Sequence, residues 1–310
     1  MRAVQSTPPG VTVVDIDMPE EGGGELVAIR SAAICASDLK YIAWGFTKIL
    51  GHELAGITQD GTPVAIEALF GCDGCDYCKA GQYNLCVHGP TALGVFSDGG
   101  MSEYFAAPAR SLVRLPAGLD VADACLIEPA SVGWHACRLG GVGPDRRVAV
   151  VGGGAIGLLM VAAAQQMGAG EVSLEARHPH QRQVGERLGA TTASGFYDVV
   201  IDAAGSGSAL RRAIELTRPG GTMVVLGVYE PDVVWPQHEC FQKELRVVPS
   251  LGYCRHGDRR DFEDAAEMLA ERPDLAESLI THRFPIEDAP EAFRVASDKS
   301  TGALRVVLEQ

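Results

Sequence analysis

The feature that most constrains how this chain folds is a regular alternation of two kinds of segment from about residue 130 to residue 227. Short apolar runs favour strands, and longer stretches of helix-forming residues separate them. The predicted strands are RVAVVG, EVSLE, YDVVIDA and TMVVLG, and the predicted helices are residues 130–139, AIGLLMVAAAQQMG, HQRQVGERLG and SALRRAIELT. This order predicts a parallel sheet with helices on both faces.

A glycine motif lies where the first of these strands meets the next helix. Gly152, Gly154 and Gly157 form G-x-G-x-x-G, with Ala155 and Ile156 between the last two glycines. Glycines at this spacing allow a tight turn, close approach of the backbone to a pyrophosphate, and close packing of helix on strand. A glycine-rich turn of any α/β protein is the alternative, but the strand–helix context favours a dinucleotide site.

The flanking regions have a different texture. Residues 11–120 contain short Val, Ile and Ala runs broken by Gly and Pro, which predict a barrel-like β domain. After residue 251 come a helix, FEDAAEMLAER, and two short strand-like pieces, FPIEDA and ALRVVLEQ. A length of 310 residues favours two domains, so we expect the C-terminal tail to rejoin the first one.

Composition limits the partners. A formal charge of −14 lacks the basic footprint that nucleic acid or an anionic membrane requires. The most apolar window, residues 155–164, is too short to span a bilayer. The N-terminal segment lacks the apolar core of a signal peptide, so we expect a cytoplasmic, reducing location.

Four cysteines occur together in GCDGCDYCKAGQYNLC. Their spacing is C-x2-C-x2-C-x7-C, and they are Cys72, Cys75, Cys78 and Cys86. Four thiolates from one short loop suit a closed, tetrahedral structural zinc site. An iron–sulfur cluster is the chemical alternative, although the last gap differs from the ferredoxin pattern. Four unrelated free thiols are the simplest alternative.

A second set of metal-ligand types is dispersed along the chain. Cys35, His52, Glu53 and Glu128 would suit an open zinc site if the fold brought them together. Each also has a purely structural interpretation: a small buried thiol, a core histidine, or a carboxylate at a helix N-terminus. Spacing alone does not decide between these interpretations.

The motifs together resemble the zinc-dependent medium-chain dehydrogenase/reductase family over nearly the whole chain, and its sorbitol or polyol dehydrogenase branch most closely. The resemblance rests on C-x-S-D at 35–38 with Tyr41, GHE at 51–53, the four-cysteine loop, DGGMSEY at 98–104, EPASVGWHACRLGGV at 128–142, GGGAIG at 152–157 and THRFP at 281–285.

The resemblance implies a role for each residue of the dispersed set. Cys35 and His52 would bind a catalytic zinc, Glu53 would be a direct or exchangeable ligand, and Glu128 would bind the metal or hold its water. Together with the cysteine loop this gives two zinc ions per chain, one catalytic and one structural. Zinc can lower the pKa of a bound alcohol so that hydride can pass to a nicotinamide.

The resemblance also implies a proton relay and a substrate pocket. Ser37 would hydrogen-bond the reacting hydroxyl and pass its proton outward. Lys40 stands where the relatives usually carry His, so the outer end of the relay is this lysine, bulk water or something altered. Tyr41, Phe96 and Tyr253 match pocket-lining positions, with plain core packing as the alternative for Phe96.

The cofactor prediction rests on the end of the second strand of the alternating region. The position at which polyol dehydrogenases carry an Asp for the ribose 2′-hydroxyl falls on Ala176, and the cations Arg177, His178 and Arg182 follow. A small residue followed by cations favours a 2′-phosphate, so we expect NADP rather than NAD. Glu175, one position earlier, is the alternative ribose ligand, and it would favour NAD.

The sequence therefore predicts an α/β protein with a doubly wound Rossmann domain and a mainly β, GroES-like catalytic domain. The expected bounds are 1–129 for the GroES-like domain, 130–251 for the Rossmann domain and 252–310 for the segment that completes the catalytic domain. The predicted reaction interconverts a secondary alcohol, polyol-like or cyclitol-like, and its ketone. We expect a homo-oligomer, a dimer or tetramer. The alternatives are a zinc-free enone or quinone reductase of the same superfamily and a noncatalytic binding protein that keeps only structural zinc.

Overall fold

The computed structural model describes residues 1–20 and 24–310. Residues 21–23, which belong to the predicted first domain, lie outside the described residues. The chain divides into two compact units. The first comprises Met1–Glu128 with Cys254–Gln310, and the second comprises Pro129–Tyr253.

Short strands dominate the first part of the first unit, as the Val-, Ile- and Ala-rich runs predict. Its elements are β1 (Arg2–Thr7), β2 (Gly10–Asp15), β3 (Glu25–Ala33), α1 (Ala36–Ala43), β4 (Glu53–Thr58), β5 (Pro63–Ile66), β6 (Leu69–Phe70), α2 (Asp76–Lys79), β7 (Thr91–Ala92), β8 (Tyr104–Ala107) and β9 (Leu112–Arg114).

Strands and helices alternate through the second unit. The elements are α3 (Ile127–Gly140), which begins just before the unit, then β10 (Arg147–Val151), α4 (Ala155–Gln166), β11 (Glu171–Glu175), α5 (Pro179–Arg187), β12 (Thr191–Thr192), β13 (Tyr197–Asp202), α6 (Gly207–Leu216), β14 (Thr217–Val225), α7 (Gln237–Gln242) and β15 (Arg246–Pro249). Most residues of helix α4 are buried, as its apolar sequence predicts. The hydroxyl of Ser206 accepts a hydrogen bond from the Ala209 amide and so caps the start of α6.

The sheet of the second unit is parallel and doubly wound. Its strand order is β12-β11-β10-β13-β14-β15, so the first strand lies in the middle and the chain winds outward to both sides. This is the Rossmann arrangement, in which ligands bind beyond the carboxyl ends of the central strands. The predicted fold class is confirmed for this unit.

The last part of the chain returns to the first unit. Its elements are β16 (Arg255–His256), β17 (Arg259–Arg260), α8 (Asp261–Glu271), α9 (Pro273–Leu279), β18 (Ile280–Pro285), α10 (Ala289–Ser297) and β19 (Arg305–Glu309). The predicted strand FPIEDA is wrong in its second half, because Ile286–Asp288 forms a 3-10 turn. Acidic residues at this point favour the start of α10, and Ile286 is buried in the core of the unit.

A mixed seven-stranded sheet organises the first unit. Its order is β18-β19-β3-β4-β5-β9, with β8 also paired to β3. The C-terminal strand β19 lies antiparallel to β3, with Val307 opposite Ala33. Strand β4 lies on the other side of β3, with Glu53 opposite Ala33. The register therefore brings three distant parts of the chain to one end of β3.

Within residues 1–20 and 24–310, the helices are too short or too polar to cross a lipid bilayer.

Candidate active site

Three metal-ligand side chains converge beside the end of β3. Cys35 stands at the N-cap of α1, while His52 and Glu53 stand at the start of β4. One ligand atom from each lies within 4.8 Å of the others, and His52 and Glu53 are buried. A thiolate, an imidazole and a carboxylate are the donors that zinc prefers in sites with an open position. The residues present therefore fit a zinc ion.

Asp38, in the first turn of α1, orients His52. Its carboxylate is fully buried, accepts a hydrogen bond from the Cys35 amide at 2.9 Å, and has Oδ1 3.5 Å from His52 Nδ1. This contact leaves His52 Nε2 as the nitrogen for a metal. Burial opposes a charge on His52, but the carboxylate of Asp38 and the thiol of Cys35 raise the pKa of His52 well above its ordinary value. The negative charges around His52 thus favour a bound cation, either a proton or a metal ion.

Arg305, on β19, supports Glu53. Its Nη1 lies 3.0 Å from Glu53 Oε1 and also donates to the carbonyl oxygen of Ile34 at 3.1 Å. Both side chains are almost completely buried. The other carboxylate oxygen, Glu53 Oε2, is buried and has no hydrogen-bond partner in the part of the chain that is described. An unsatisfied buried carboxylate oxygen is costly, and a metal ion would satisfy it.

Two further predicted residues, Ser37 and Tyr41, lie beside these donors. The hydroxyl of Ser37, in α1, is 3.4 Å from His52 Nε2. Burial raises the pKa of the half-buried Tyr41, and the neighbouring Ser37 side chain opposes that rise. A reacting hydroxyl next to His52 Nε2 would therefore also lie next to a hydroxyl pair that can carry a proton.

The remaining predicted residues of this site lie in varied environments. Glu128, in the first turn of α3, is outside the three-residue cluster, but its charge contributes to the raised pKa of His52. Lys40 is exposed. Phe96 is 81% exposed, so the core-packing alternative for it is wrong. Tyr253, in contrast, is buried.

The cysteine loop forms a second compact donor set. The sulfur atoms of Cys72, Cys75, Cys78 and Cys86 all lie within 4.8 Å of one another. The Sγ atoms of Cys72 and Cys78 are 4.0 Å apart, much farther than a disulfide bond. Hydrogen bonds from backbone amides, that of Cys78 first, lower the pKa of Cys75 to about 6 and favour its thiolate. Four sulfur donors fit a tetrahedral zinc ion.

The glycine motif forms the turn between β10 and α4. Gly152 has φ +122°, which L side chains rarely adopt, and a Cβ on Gly157 would stand 1.9 Å from the Gly152 carbonyl oxygen. Ala155 and Ile156 open α4, so their amides lie at the N-terminus of a buried helix. This backbone fits a pyrophosphate.

The residues at and after the end of β11 are those predicted to contact the ribose of the cofactor. Glu175 ends the strand and is paired with Arg212, 3.2 Å from its Nη2. Ala176 is buried beside the glycine turn, because a Cβ on Gly153 would stand 2.5 Å from the Ala176 Cβ. Arg177 is exposed, and Arg182 Nη1 donates to the carbonyl oxygens of Ala176 and Arg177 at 2.9 Å each.

The imidazole of His178 lies in the same segment. It stacks on His180, with ring centroids 5.7 Å apart. The segment after β11 therefore presents several basic side chains on an exposed turn, next to a small buried residue.

Three residues around the metal cluster, Asp38, Arg305 and Lys48, have no role in the predictions made from the sequence. Asp38 was within the quoted C-x-S-D motif, and Arg305 is the one cation in the apolar strand ALRVVLEQ, which is a signal that a buried partner exists. Lys48, four residues before His52, had no such signal.

Comparisons with known proteins agree with the fold. The family model "Alcohol dehydrogenase GroES-like domain" matches residues 22–117, and "Glucose dehydrogenase C-terminus" matches residues 122–309. L-galactonate-5-dehydrogenase of Escherichia coli strain K12 is 30% identical over 312 residues, covering 89% of each chain. Sorbitol dehydrogenase 1 of Saccharomyces cerevisiae is 30% identical over 308 residues, covering 86% of this chain and 85% of the relative.

A solved structure extends the comparison. A zinc-binding dehydrogenase from Sinorhizobium meliloti 1021, crystallised with NADP, superimposes with a TM-score of 0.87 at 28% identity, covering 100% of this chain and 99% of the other. Fold and relatives together define an oxidoreductase of the alcohol dehydrogenase class. The chain belongs to the zinc-type medium-chain dehydrogenase/reductase family, near its polyol dehydrogenase branch, and acts on secondary alcohols.

Proposed function

We propose that the protein is a zinc-dependent dehydrogenase of polyhydroxylated secondary alcohols that prefers NADP. The observation that carries the proposal is the cluster of Cys35, His52 and Glu53, whose donor atoms meet within 4.8 Å and include a buried carboxylate oxygen that has no partner in the described part of the chain. A zinc-free reductase, or a protein with only structural zinc, does not require this cluster of metal-ligand side chains, so the cluster favours the zinc-dependent dehydrogenase.

Each residue of the cluster has a defined task in this proposal. Cys35, His52 and Glu53 hold the catalytic zinc, while Asp38 fixes the ring of His52. When bound, zinc supplies a Lewis acid that lowers the pKa of the substrate hydroxyl, and the nicotinamide accepts hydride. Ser37 accepts the hydroxyl proton and passes it toward Tyr41 and solvent.

The other residues keep the roles that the sequence predicted. Glu128 lies near enough to His52 to affect its pKa, and we propose that it binds the metal or its water. Cys72, Cys75, Cys78 and Cys86 hold a second, structural zinc. For Phe96 and for Tyr253, contact with the substrate stays a prediction.

The preference for NADP rests on the segment after β11. Ala176 leaves room where a carboxylate would repel a 2′-phosphate, Arg177 and Arg182 supply positive charge, and His178 supplies a further hydrogen-bonding group. Glu175 is the competing ribose ligand, but its carboxylate is already paired with Arg212. The solved relative with bound NADP supports the same preference.

The names of the relatives reduce the range of candidate substrates. Their names give L-galactonate and sorbitol, a sugar acid and a sugar alcohol of six carbons. We propose an open-chain substrate of this kind, oxidised at a secondary hydroxyl.

We propose further that the first unit is the catalytic domain and the second unit binds the nucleotide. We propose a cytoplasmic location, because zinc–thiolate sites need reduced cysteines. A homo-oligomer, a dimer or tetramer, stays a prediction.

The test is kcat/KM of the zinc-loaded protein for NADP and NAD with one hexitol. We expect NADP to be preferred, Arg177→Ala to lower kcat/KM for NADP alone, and Ala176→Asp to reverse the preference. Arg211→Ala, an exposed arginine on α6, is the control. A preference for NAD that Glu175→Ala destroys would show that this carboxylate binds the ribose.

A further inference from the structure

Lys48 lies beside Tyr41, one of the residues predicted to touch substrate. It precedes β4, and its Nζ is 4.3 Å from the centre of the Tyr41 ring and 5.5 Å from that of Phe46. The same ammonium donates to the carbonyl oxygen of Val95, the neighbour of Phe96. Lys48 thus contacts residues next to, or part of, the set predicted to touch substrate.

The ammonium of Lys48 has unused binding capacity. It is half-buried between aromatic faces, and burial lowers its pKa while Asp38 and Asp98 oppose that change from a distance. Of its three N–H donors, one is taken by a carbonyl oxygen, and the aromatic faces are weaker partners. Within residues 1–20 and 24–310, no carboxylate forms an ion pair with it. A poorly solvated cation of this kind binds an anion strongly.

The position of Lys48 relative to the reacting centre is set by one side chain. The Ser37 hydroxyl is 3.4 Å from His52 Nε2, and the Ser37 side chain lies near enough to the Tyr41 hydroxyl to affect the pKa of Tyr41. The ammonium lies over the ring of the same tyrosine. The cation and the reacting hydroxyl are therefore separated by about the length of a tyrosine side chain, a span that a chain of a few carbons covers.

We propose that Lys48 determines specificity by binding an anionic group at one end of an acidic sugar-alcohol substrate. The proposal rests on the proposed function, because it assumes that the secondary hydroxyl reacts beside Ser37 and His52. The anion is a carboxylate or a phosphate, since either accepts hydrogen bonds from an ammonium.

The experiment compares three probes of matched configuration, with the anion on the same carbon in both acids: D-glucitol, D-gluconate and D-glucitol 1-phosphate. For each, kcat/KM is measured with zinc-loaded protein and NADP, and binding is measured by calorimetry. The variants are Lys48→Met, which keeps the length and removes the charge, and Lys48→Arg, which keeps the charge. Lys299→Met, an exposed lysine of the same unit, is the control.

We expect Lys48→Met to weaken binding and lower kcat/KM for an acidic probe by roughly 10- to 100-fold, mostly through KM, as for a lost hydrogen bond to a charged group. D-glucitol should change less than about threefold, and Lys48→Arg should retain most of the affinity for the acid. The acidic probe that loses affinity identifies the carboxylate or the phosphate as the bound group.

Equal losses for acidic and neutral probes would overturn the proposal, because they would mean that Lys48 only braces Val95. Wild-type protein that binds neither acid more tightly than D-glucitol would overturn it as well. If no alcohol is oxidised with either cofactor, the proposed function fails, and the calorimetric comparison still decides the role of Lys48.

Discussion

Ser37 is the residue whose side chain carries most of the proposed proton transfer. Its hydroxyl lies 3.4 Å from His52 Nε2 and its side chain neighbours the Tyr41 hydroxyl, so it stands beside the metal ligands. We expect Ser37→Ala to lower kcat by roughly 100-fold, the lower range for a positioned acid–base group. Ser37→Thr, which keeps a hydroxyl, should recover part of the loss in steady-state assays.

Lys40 provides the comparison. Its side chain is exposed, and water can replace an exposed group at the outer end of a relay. Lys40→Ala should therefore lower kcat far less than Ser37→Ala does. A larger loss for Lys40→Ala would mean that the lysine is a working acid or base and that the proposed ranking is wrong.

The metal ligands could be predicted from sequence only through several motifs in a fixed order. Cys35 and His52 are separated by a helix and a loop, and no spacing rule joins them. Arg305 was missed because its partner, Glu53, is distant in sequence. Lys48 was missed because its hydrogen-bond acceptor, Val95, is 47 positions away, although the two aromatic rings that it contacts are near in sequence. Contacts of this kind depend on sheet register and loop packing, which the residue pattern leaves open.

At the scale of elements, the cysteine loop is anchored by a buried ion pair. Glu67, just after β5, accepts a hydrogen bond from Tyr83 in the loop and lies 2.9 Å from Arg260 at the end of β17. Burial raises the pKa of Glu67 to about 6, although Tyr83 and Arg260 oppose the rise. Glu67 thus joins the end of β5, the cysteine loop and the end of β17. Its burial makes the charged form of the carboxylate less favourable than it would be in water.

This pKa predicts a pH dependence of stability. The pKa of Glu67 is about 6 in the folded protein, above the ordinary 4.5, so folding favours the protonated acid. The contribution of Glu67 to the free energy of unfolding is fully present below about pH 4.5 and falls by about 2 kcal/mol as the pH rises through 6.

The measurement is the Tm difference between wild type and Glu67→Gln from pH 4.5 to 7. Because glutamine does not titrate, this difference should shift in favour of the variant as the pH rises to 6 and then level off. Glu25→Gln, an exposed carboxylate on β3, controls for the lost charge. Parallel Tm profiles for wild type and Glu67→Gln would contradict the raised pKa.

Strand–helix alternation was the most predictable level of the fold. The four predicted strands and four predicted helices between 127 and 225 occur in the predicted order because their apolar patterns are strong and their glycine turns are local, whereas β12, α7 and β15 were not predicted. The structure of the segment FPIEDA was harder to predict, because its first two residues end a strand and the next three form a 3-10 turn. The pairing of β19 with β3 joins residues more than 270 positions apart, and only packing specifies it.

At the scale of the whole molecule, the two donor sets share no residue, and their surroundings differ. The cysteine loop offers four sulfur atoms and leaves no position for substrate, whereas the cluster of Cys35, His52 and Glu53 leaves one open. We therefore propose that the zinc of the cysteine loop stabilises the fold and that the other zinc takes part in the reaction. A closed site releases its metal more slowly than an open one.

The most direct test of that assignment is zinc content measured together with turnover while a chelator removes metal in steps. We expect about two zinc ions per chain in fully active protein, with activity lost alongside the first and Tm falling only with the second. Cys35→Ala should be folded and inactive, and Cys75→Ala should be less stable. Fully active protein with at most one zinc, or activity that follows the slowly released ion, would contradict the account.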